Sequence, residues 1–202
     1  MKGISPSLFL AVLGILVFSS CSLLKPAAVE ADREILTKTP LQLPQGRTHP
    51  GTVLVFIPET RAVYDTTQMA YQIRSYQIDY FSRTEWGERP SPMLHLLLVQ
   101  MLQSAHYFSA VVTPPFTGHY THALQTEILT FYQDFTSEPA AFQLTLRVQM
   151  TAQGTNQVIG TKEISVREPM REKTAYAGAV AANDATAKAL KEIADFVRET
   201  TN

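Results

Sequence analysis

The alternation of apolar and polar residues is clearest between Phe142 and Thr151. Every even position there carries an apolar side chain and every odd position a polar one. Successive side chains of a strand point to opposite faces of a sheet. This stretch therefore predicts a strand with one covered face and one face open to water. Gln153–Asn156 has turn composition, and Val158–Val166 is predicted to return as the hairpin partner.

Shorter apolar runs predict further strands. Thr52–Ile57 is rich in β-branched residues and stops at Pro58, as expected for a buried strand. Residues 68–81 alternate loosely and predict two short strands or a hairpin. Phe108–Val112 predicts a short strand, and Leu124–Phe135 predicts a longer one.

Two segments have the wider apolar spacing of helices. Ser91 and Pro92 form a helix start, with a hydroxyl N-cap followed by proline at the first helical position, and the helix continues to Leu102. Its apolar residues cover more than one face, so we expect it to be buried between the sheet and another element. Ala175–Thr200 predicts the last helix. Its inner stripe is predicted to be Val180, Ala187, Leu190, Ile193, Ala194 and Val197.

These elements together predict the fold class. Strands in which apolar and polar residues alternate, combined with two helices that each have an apolar side, favour an α+β fold. We expect an antiparallel or mixed β-sheet with the two main helices packed on one face.

The N-terminus has the layout of a secretory signal. Lys2 gives it a positive charge, residues 8–18 are apolar, and two serines precede Cys21. A cysteine at the cleavage point resembles a bacterial lipobox, in which the thiol is acylated and becomes the first residue of the mature protein. Phe18 stands where that motif usually has leucine. We therefore expect a diacylglycerol and an N-acyl chain such as palmitate on Cys21, and no other cofactor.

Two alternatives explain this segment less well. The apolar run is shorter than the roughly 20 residues of a transmembrane helix. An ordinary cleaved signal peptide would leave Cys21, the only cysteine of the chain, as a free thiol in an oxidising compartment. Ser22 follows where an aspartate would retain a lipoprotein in the inner membrane. The predicted location is therefore the periplasmic face of the outer membrane.

The predicted organisation of the chain has three parts. Residues 1–20 are the signal peptide, residues 21–50 a lipidated tether, and residues 51–202 a single α+β domain. The tether prediction depends on four prolines and on the lack of a sustained period. Within it, Ile35–Leu43 is the stretch that could pair as an edge strand.

Composition and charge exclude several classes of protein. Hydrophobic residues make up 45% of the chain and charged residues 17%, which is typical of a globular protein. The 17 basic and 18 acidic residues are well mixed, and no basic block is present. Nucleic acid is therefore not expected as a partner.

The sequence carries no strong catalytic or metal-binding pattern. His119 and His122 lie three residues apart, with His106 nearby, but no glutamate separates the pair as in metalloproteases. The phosphate-binding glycine loop of ATPases and the nucleophile elbow of hydrolases do not occur in the sequence. We therefore predict no catalytic residues, no metal site and no enzymatic activity.

Several short motifs resemble a known family. They are Tyr64–Tyr71, Tyr76–Phe81, Glu85–Pro90 and Met93–Leu94. Together with the lipobox they are similar to the ABC-type transport auxiliary lipoproteins. These proteins accompany MCE-type lipid transport systems, including the paraquat-inducible intermembrane system. The resemblance runs from about Thr52 to the C-terminal helix, and it implies an outer-membrane lipoprotein that acts with a permease, an ATPase and an MCE-domain protein.

Four aromatic residues of these motifs are candidate contacts: Tyr71, Tyr76, Tyr80 and Trp86. One explanation is a core cluster that fixes the first helix onto the sheet. The other is a surface that receives a protein partner or an acyl chain, because aromatic side chains dominate binding hot spots. The polar strand positions are a second candidate surface: Gln143, Thr145, Arg147 and Gln149.

The sequence favours a non-enzymatic outer-membrane lipoprotein that docks on a periplasm-spanning MCE-domain partner, with self-association as an option. A periplasmic lipid carrier is one alternative, and it would need an apolar pocket of roughly several hundred Å³ between the helices and the sheet. A structural lipoprotein of another envelope complex is the other.

Overall fold

The computed structural model describes residues 31–43 and 48–201. Over these residues the chain forms nine strands and two helices. The strands are β1 (Asp32–Glu34), β2 (His49–Val55), β3 (Glu59–Thr60), β4 (Gln68–Gln72), β5 (Asp79–Trp86), β6 (Phe108–Val112), β7 (His122–Asp134), β8 (Ala141–Ala152) and β9 (Gln157–Pro169). The helices are α1 (Pro90–Ala105) and α2 (Ala175–Thr201). The predicted signal peptide, Cys21 and the first part of the predicted tether lie outside the described residues.

The strands form one mixed sheet organised around β7. On one side β7 pairs antiparallel with β8, and β8 pairs antiparallel with β9. On its other side β7 pairs in parallel with three short strands in turn, β2, β3 and β4. The sheet continues from β2 to β6 in parallel, from β4 to β5 antiparallel, and from β5 to β1 in parallel. The prediction of an α+β fold with a mixed sheet is confirmed.

One face of the sheet is covered by both helices, as the alternation in β8 predicted. The even-numbered residues of β8 are almost completely buried: Phe142, Leu144, Leu146, Val148 and Met150. Both helices pack against this face and contact each other. Because burying one large apolar side chain contributes about 1.5–3 kcal/mol, this strand alone supplies a large part of the core energy.

Helix α1 begins two residues before Pro92, its predicted first helical residue. Pro90 is the first helical residue, and Arg89 before it makes no side-chain capping hydrogen bond. The hydroxyl of Ser91, which we predicted as the N-cap, instead donates to the carbonyl oxygen of Pro58. Ser91 is therefore inside the helix and ties it to the segment that follows β2.

The first half of α2 approaches the sheet through small residues. A Cβ atom on Gly178 would lie 2.0 Å from Cδ of Gln133, a fully buried residue of β7. Val180, predicted in the inner stripe, is 44% exposed because Gly178 and Ala179 face the sheet at this point. The other predicted members of the stripe are buried: Ala187, Leu190, Ile193, Ala194 and Val197.

Residues 31–43 pack onto the domain, and we call them the N-terminal strap. They belong to the same compact unit as the rest of the described chain. We predicted that they form part of the tether, in which Ile35–Leu43 was the stretch that could pair as an edge strand. The paired residues are instead those of β1, and Leu36 is buried in the core.

One side chain of α2 holds the strap in place. Asn183 Oδ1 accepts hydrogen bonds from the backbone N–H groups of Thr37 (2.8 Å) and Lys38 (3.1 Å). Its Nδ2 donates to the carbonyl oxygen of Ile35 (3.0 Å). Lys38 also forms an ion pair with Asp184. Asn183 thus satisfies backbone groups that have no strand partner, which fixes the path of the strap across α2.

The strand directions show where the chain enters the domain. β1 runs parallel to β5, β5 antiparallel to β4, and β4 parallel to β7, so β1 runs opposite to β7. The chain therefore enters β1 from the end of the sheet where β7 finishes, which we call the entry end. The loops of residues 73–78, 135–140 and 170–174 also lie at the entry end. The β8–β9 turn lies at the far end, about 40 Å away along the thirteen residues of β7.

Candidate docking surfaces

The four predicted aromatic candidates lie in different environments. Trp86 is buried, with its ring centroid 5.3 Å from that of Phe131. Phe131 in turn meets Phe142 edge to face at 4.9 Å. Trp86 thus lies in the core under the helices, which favours the packing explanation for this residue.

Tyr71 and Tyr80 are half-buried and have packing or hydrogen-bond partners. The Tyr71 ring lies 4.6 Å from Phe81 and 5.7 Å from Phe135, so that the three rings form a cluster near the entry end. The Tyr80 hydroxyl donates to the carbonyl oxygen of Val63 at 3.0 Å. These contacts hold the β4–β5 hairpin against the neighbouring loops.

Tyr76 is the candidate that lies on the surface. It is fully exposed in the loop between β4 and β5, and Ile73 in the same loop is half exposed. The backbone of Tyr76 has φ 67°, in the left-handed region that side chains with a Cβ rarely adopt. A bulky residue in this conformation costs about 1–3 kcal/mol. The loop therefore keeps an unfavourable conformation that presents a tyrosine to its surroundings.

A second pair of tyrosines lies close to this hairpin. The rings of Tyr64 and Tyr132 are stacked with their centroids 6.3 Å apart. Burial, with a smaller contribution from Tyr132, raises the pKa of the Tyr64 phenol to about 12. Both side chains are therefore neutral at physiological pH, and their role here is packing.

The polar face of β7–β9 carries an ordered row of side chains. Arg147 forms ion pairs with Glu127 of β7 (2.7 Å) and Glu163 of β9 (3.6 Å). Gln149 donates to the side-chain oxygen of Gln125 at 3.0 Å. Such exposed pairs contribute only about 0–1 kcal/mol each to stability. Their main effect is to hold these side chains at fixed positions on an open surface, which we call the polar face.

A groove lies between the polar face and the segment after β2. It has a volume of about 260 Å³, and Phe56, Ile57, Gln125, Arg147 and Gln149 contribute to its wall. The sequence predicted Ile57 inside a buried strand, but β2 ends at Val55 and the Ile57 side chain is 54% exposed. The chain leaves the sheet here because Pro58 lacks the N–H group that would continue the pairing.

Asp134 closes the β7–β8 connection at the entry end. Its carboxylate accepts hydrogen bonds from the backbone N–H (2.8 Å) and the hydroxyl (2.6 Å) of Thr136. Ser137 and Gln143 also donate to it, at 3.3 and 3.4 Å. Burial alone would raise the pKa of this carboxyl, but the hydrogen bonds outweigh burial and lower its pKa. Gln143, a predicted contact residue, therefore has a structural role beside its place on the polar face.

The histidines are spread over several elements. His122 is half-buried at the start of β7, 4.8 Å from the ring of His49, and burial followed by the charge of His49 lowers its pKa. His119 is exposed in the loop before β7, and His106 ends α1. Across residues 31–43 and 48–201, no three His, Cys, Asp or Glu side chains are grouped as metal ligands.

The space between the sheet and the helices, where a lipid carrier would need its pocket, is filled by side chains. The largest fully buried leucine, isoleucine and methionine side chains are Met69, Leu94, Leu97, Leu98, Met101, Leu102, Leu124, Ile128 and Leu144. Some of these residues lie on the face of the sheet that the helices cover, and the others lie on α1. All of them belong to one continuous core. This packing favours surfaces over an interior cavity as the site of function.

Comparison with known proteins identifies the family of this chain. The family model of the ABC-type transport auxiliary lipoprotein component matches residues 35–194. The chain belongs to this family. The match starts inside the N-terminal strap and ends within α2, so the strap is part of the family's domain. Membership in a family of lipoproteins indicates a membrane-anchored location in the cell envelope.

Solved structures with the same fold include three of low sequence identity. Protein XCC0632 from Xanthomonas campestris has a TM-score of 0.73 at 16% identity over 84% of this chain and 95% of that one. An uncharacterised protein has a TM-score of 0.63 at 15% identity, over 80% and 99%. The hypothetical protein CT253 from Chlamydia trachomatis has a TM-score of 0.53 at 9% identity, over 76% and 98%. At these identities the likeness shows the fold alone.

None of the curated proteins compared with the sequence matches it. In the part of the chain that the structure describes, no helix is both long enough and apolar enough to cross a membrane.

Proposed function

We propose that this protein is a non-enzymatic component of an ABC/MCE-type intermembrane lipid transport system. It is held at the periplasmic face of the outer membrane and docks on a periplasm-spanning MCE-domain partner. Family membership supports the auxiliary role in ABC transport. The observation that carries the docking role is the groove in which Phe56 and Ile57 expose apolar surface beside the polar face.

The proposed anchor is a set of acyl chains on Cys21. Ala31 lies ten residues after Cys21, and ten fully extended residues reach at most about 36 Å. Because β1 is entered from the entry end, we expect this end to face the membrane. Ile73 and Tyr76 are exposed at the same end, and the amphipathic ring of a tyrosine suits the boundary between lipid headgroups and acyl chains.

The polar face is the proposed contact with the MCE-domain partner. Interfaces of this kind combine an apolar centre with a polar rim. Phe56 and Ile57 supply the centre, while Gln125, Arg147 and Gln149 supply the rim. The rim side chains are already held by their ion pairs and hydrogen bonds, so less conformational entropy is lost when the partner binds.

A capture experiment tests the docking surface. Tagged full-length protein is purified from gently solubilised membranes, and the co-purified MCE-domain protein is quantified by mass spectrometry. Ile57→Asp places a charge in the apolar centre and is expected to lower recovery about tenfold or more. Tyr176→Asp is the matched control, because Tyr176 is an exposed apolar residue on α2 outside the groove. Full recovery with Ile57→Asp would exclude this surface, and wild-type protein that captures no MCE-domain protein would exclude the function.

The anchor is tested separately. Intact-mass analysis of the mature wild-type protein is expected to show acyl chains on Cys21, and Cys21→Ala is expected to release the protein from the membrane fraction. A mature protein with an unmodified thiol would refute the anchor while leaving the docking surface open to its own test.

A further inference from the structure

Strand β9 has one long edge that no other described strand covers. It is thirteen residues long, and within residues 31–43 and 48–201 it pairs with β8 alone. Such an edge presents a row of N–H and C=O groups that can pair with a strand of another chain. Proteins usually protect an edge with charged residues, and β9 carries four in its central part: Lys162, Glu163, Arg167 and Glu168.

These charges are arranged symmetrically about Ser165. Glu163 and Arg167 lie two residues to either side of Ser165, and Lys162 and Glu168 lie three residues to either side. In each of the two pairs the charges have opposite sign. Two copies of β9 placed antiparallel with Ser165 at the centre would therefore bring Glu163 of one copy opposite Arg167 of the second copy. Lys162 would likewise lie opposite Glu168 of the second copy.

Other symmetric registers lack this complementarity. Residues directly opposite each other in an antiparallel pair point to the same face of the sheet. A symmetry centre between two residues would place odd positions opposite even ones, which point to different faces, so the centre must fall on a residue. Centres at Lys162, Glu163, Arg167 or Glu168 place a charge opposite itself, which is destabilising. Centres at Ile164 or Val166 bring no opposite charges together. A parallel pairing in register would place every charge beside its own kind.

The side chains involved differ in exposure, and each of the four charged ones has a partner in its own chain. Glu163, Ser165 and Arg167 are exposed on the polar face, whereas the side chain of Glu168 is only 14% exposed. One guanidinium nitrogen of Arg167 donates to Ser137 Oγ at 2.8 Å and to the carbonyl oxygen of Pro139 at 2.7 Å, so the remaining N–H groups of Arg167 are the ones that would meet a second copy. Lys162 and Glu168 lie on the helix side, where they form ion pairs with Glu192 at 3.5 Å and with Lys188 at 2.5 Å. The 3.6 Å contact of Glu163 with Arg147 is long, so this carboxylate can turn toward a second copy at little cost.

We propose that β9 pairs antiparallel with β9 of a second copy of this chain, centred on Ser165, to give a two-fold symmetric dimer. Residues 161–169 of each copy overlap in this register, over about 30 Å. The contact is isologous and closes after two copies. Because the sheet continues through both copies, their polar faces lie on the same side. This inference does not depend on the proposed docking function.

Cysteine cross-linking of the full-length protein in membranes tests the register. With Ser165→Cys, the two facing Cα atoms are expected about 4.5–5.5 Å apart, within the range for a disulfide, so oxidation should give a covalent dimer. Thr161→Cys is the matched control on the same strand and face. Thr161 would lie opposite Pro169 of the second copy, so its two copies would be about 27 Å apart and stay monomeric. The parent protein controls for cross-linking through Cys21.

A charge exchange tests the pairing itself. In the Ser165→Cys background, Glu163→Arg places like charges opposite each other twice and is expected to lower the cross-linked fraction about tenfold. Adding Arg167→Glu should restore it. Failure of the double variant to restore cross-linking would overturn the register. Equal cross-linking of Thr161→Cys and Ser165→Cys would overturn symmetric pairing, and a protein that sediments as a monomer at all concentrations would overturn the dimer.

Discussion

Replacing Asn183 by alanine should release the N-terminal strap while leaving the rest of the fold in place. The side chain makes three hydrogen bonds to the backbone of the strap, at Ile35, Thr37 and Lys38. A neutral hydrogen bond contributes about 1 kcal/mol net, so Asn183→Ala should cost about 3 kcal/mol of local stability. Since 1.4 kcal/mol is a factor of ten, the equilibrium for opening the strap should rise about a hundredfold.

Amide hydrogen exchange measures this opening directly. The N–H groups of Thr37 and Lys38 should lose about a hundredfold in protection, because exchange from a locally opened segment reports its free energy of opening. Amides in β8 should keep their protection, because a buried core strand is expected to exchange only through global unfolding. Asn183→Asp is the graded control, because it keeps an acceptor for Thr37 and Lys38 but cannot donate to Ile35. The loss of amide protection in Asn183→Asp should therefore be smaller than in Asn183→Ala.

Two results would refute this reasoning. Unchanged protection of Thr37 and Lys38 in Asn183→Ala would mean that β1 and the buried Leu36 hold the strap without Asn183. An equal loss of protection in the strap and in β8 would mean that the strap and the core open together, and that the strap is not a separate unit.

Three further predictions concern the core and the entry end. Gly178→Ala should destabilise the protein by about 1–3 kcal/mol in urea unfolding, although alanine normally favours a helix, because its Cβ would collide with Gln133. Phe131→Ala should cost about 3–5 kcal/mol in the same assay, since it leaves a cavity between two aromatic rings. The lowered pKa of Asp134 stabilises the folded state above its unfolded pKa, and this contribution disappears as the pH falls below about 4. Between pH 5 and pH 2, the melting temperature of Asp134→Asn should therefore fall by less than that of the parent protein.

Period and turn composition were enough to predict most of the elements. The alternation over Phe142–Thr151 identified β8, because one covered face requires apolar residues at every second position. The last helix was predicted at Ala175–Thr200 and is observed at Ala175–Thr201. The prediction that Val180 is buried was wrong. Large apolar residues were assigned to the buried side of the helix, whereas the close approach of α2 to β7 leaves room only for the smaller Gly178 and Ala179.

The surfaces were harder to predict, because they depend on contacts between residues far apart in the sequence. Asn183 holds residues nearly 150 positions away, and no local pattern marks it. Ile57 ends an apolar run that looks buried, and only the departure of the chain from the sheet exposes it. The aromatic motifs did mark Tyr76, but they could not separate it from the buried Trp86. The symmetric charges around Ser165 can be found in the sequence once the free edge of β9 is known.

The way the strap is attached determines how the domain responds to mechanical force. A pull on the chain ahead of β1 acts along the strand axis, because β1 is entered from the entry end and pairs in parallel with β5. Its hydrogen bonds are then loaded in shear and must yield together, whereas a pull across the strand would open them one at a time. Asn183 and the Lys38–Asp184 pair pass the same force into α2. If the proposed acyl anchor on Cys21 attaches the chain to a bilayer, tension from that bilayer would therefore pass into α2, the longer of the two described helices.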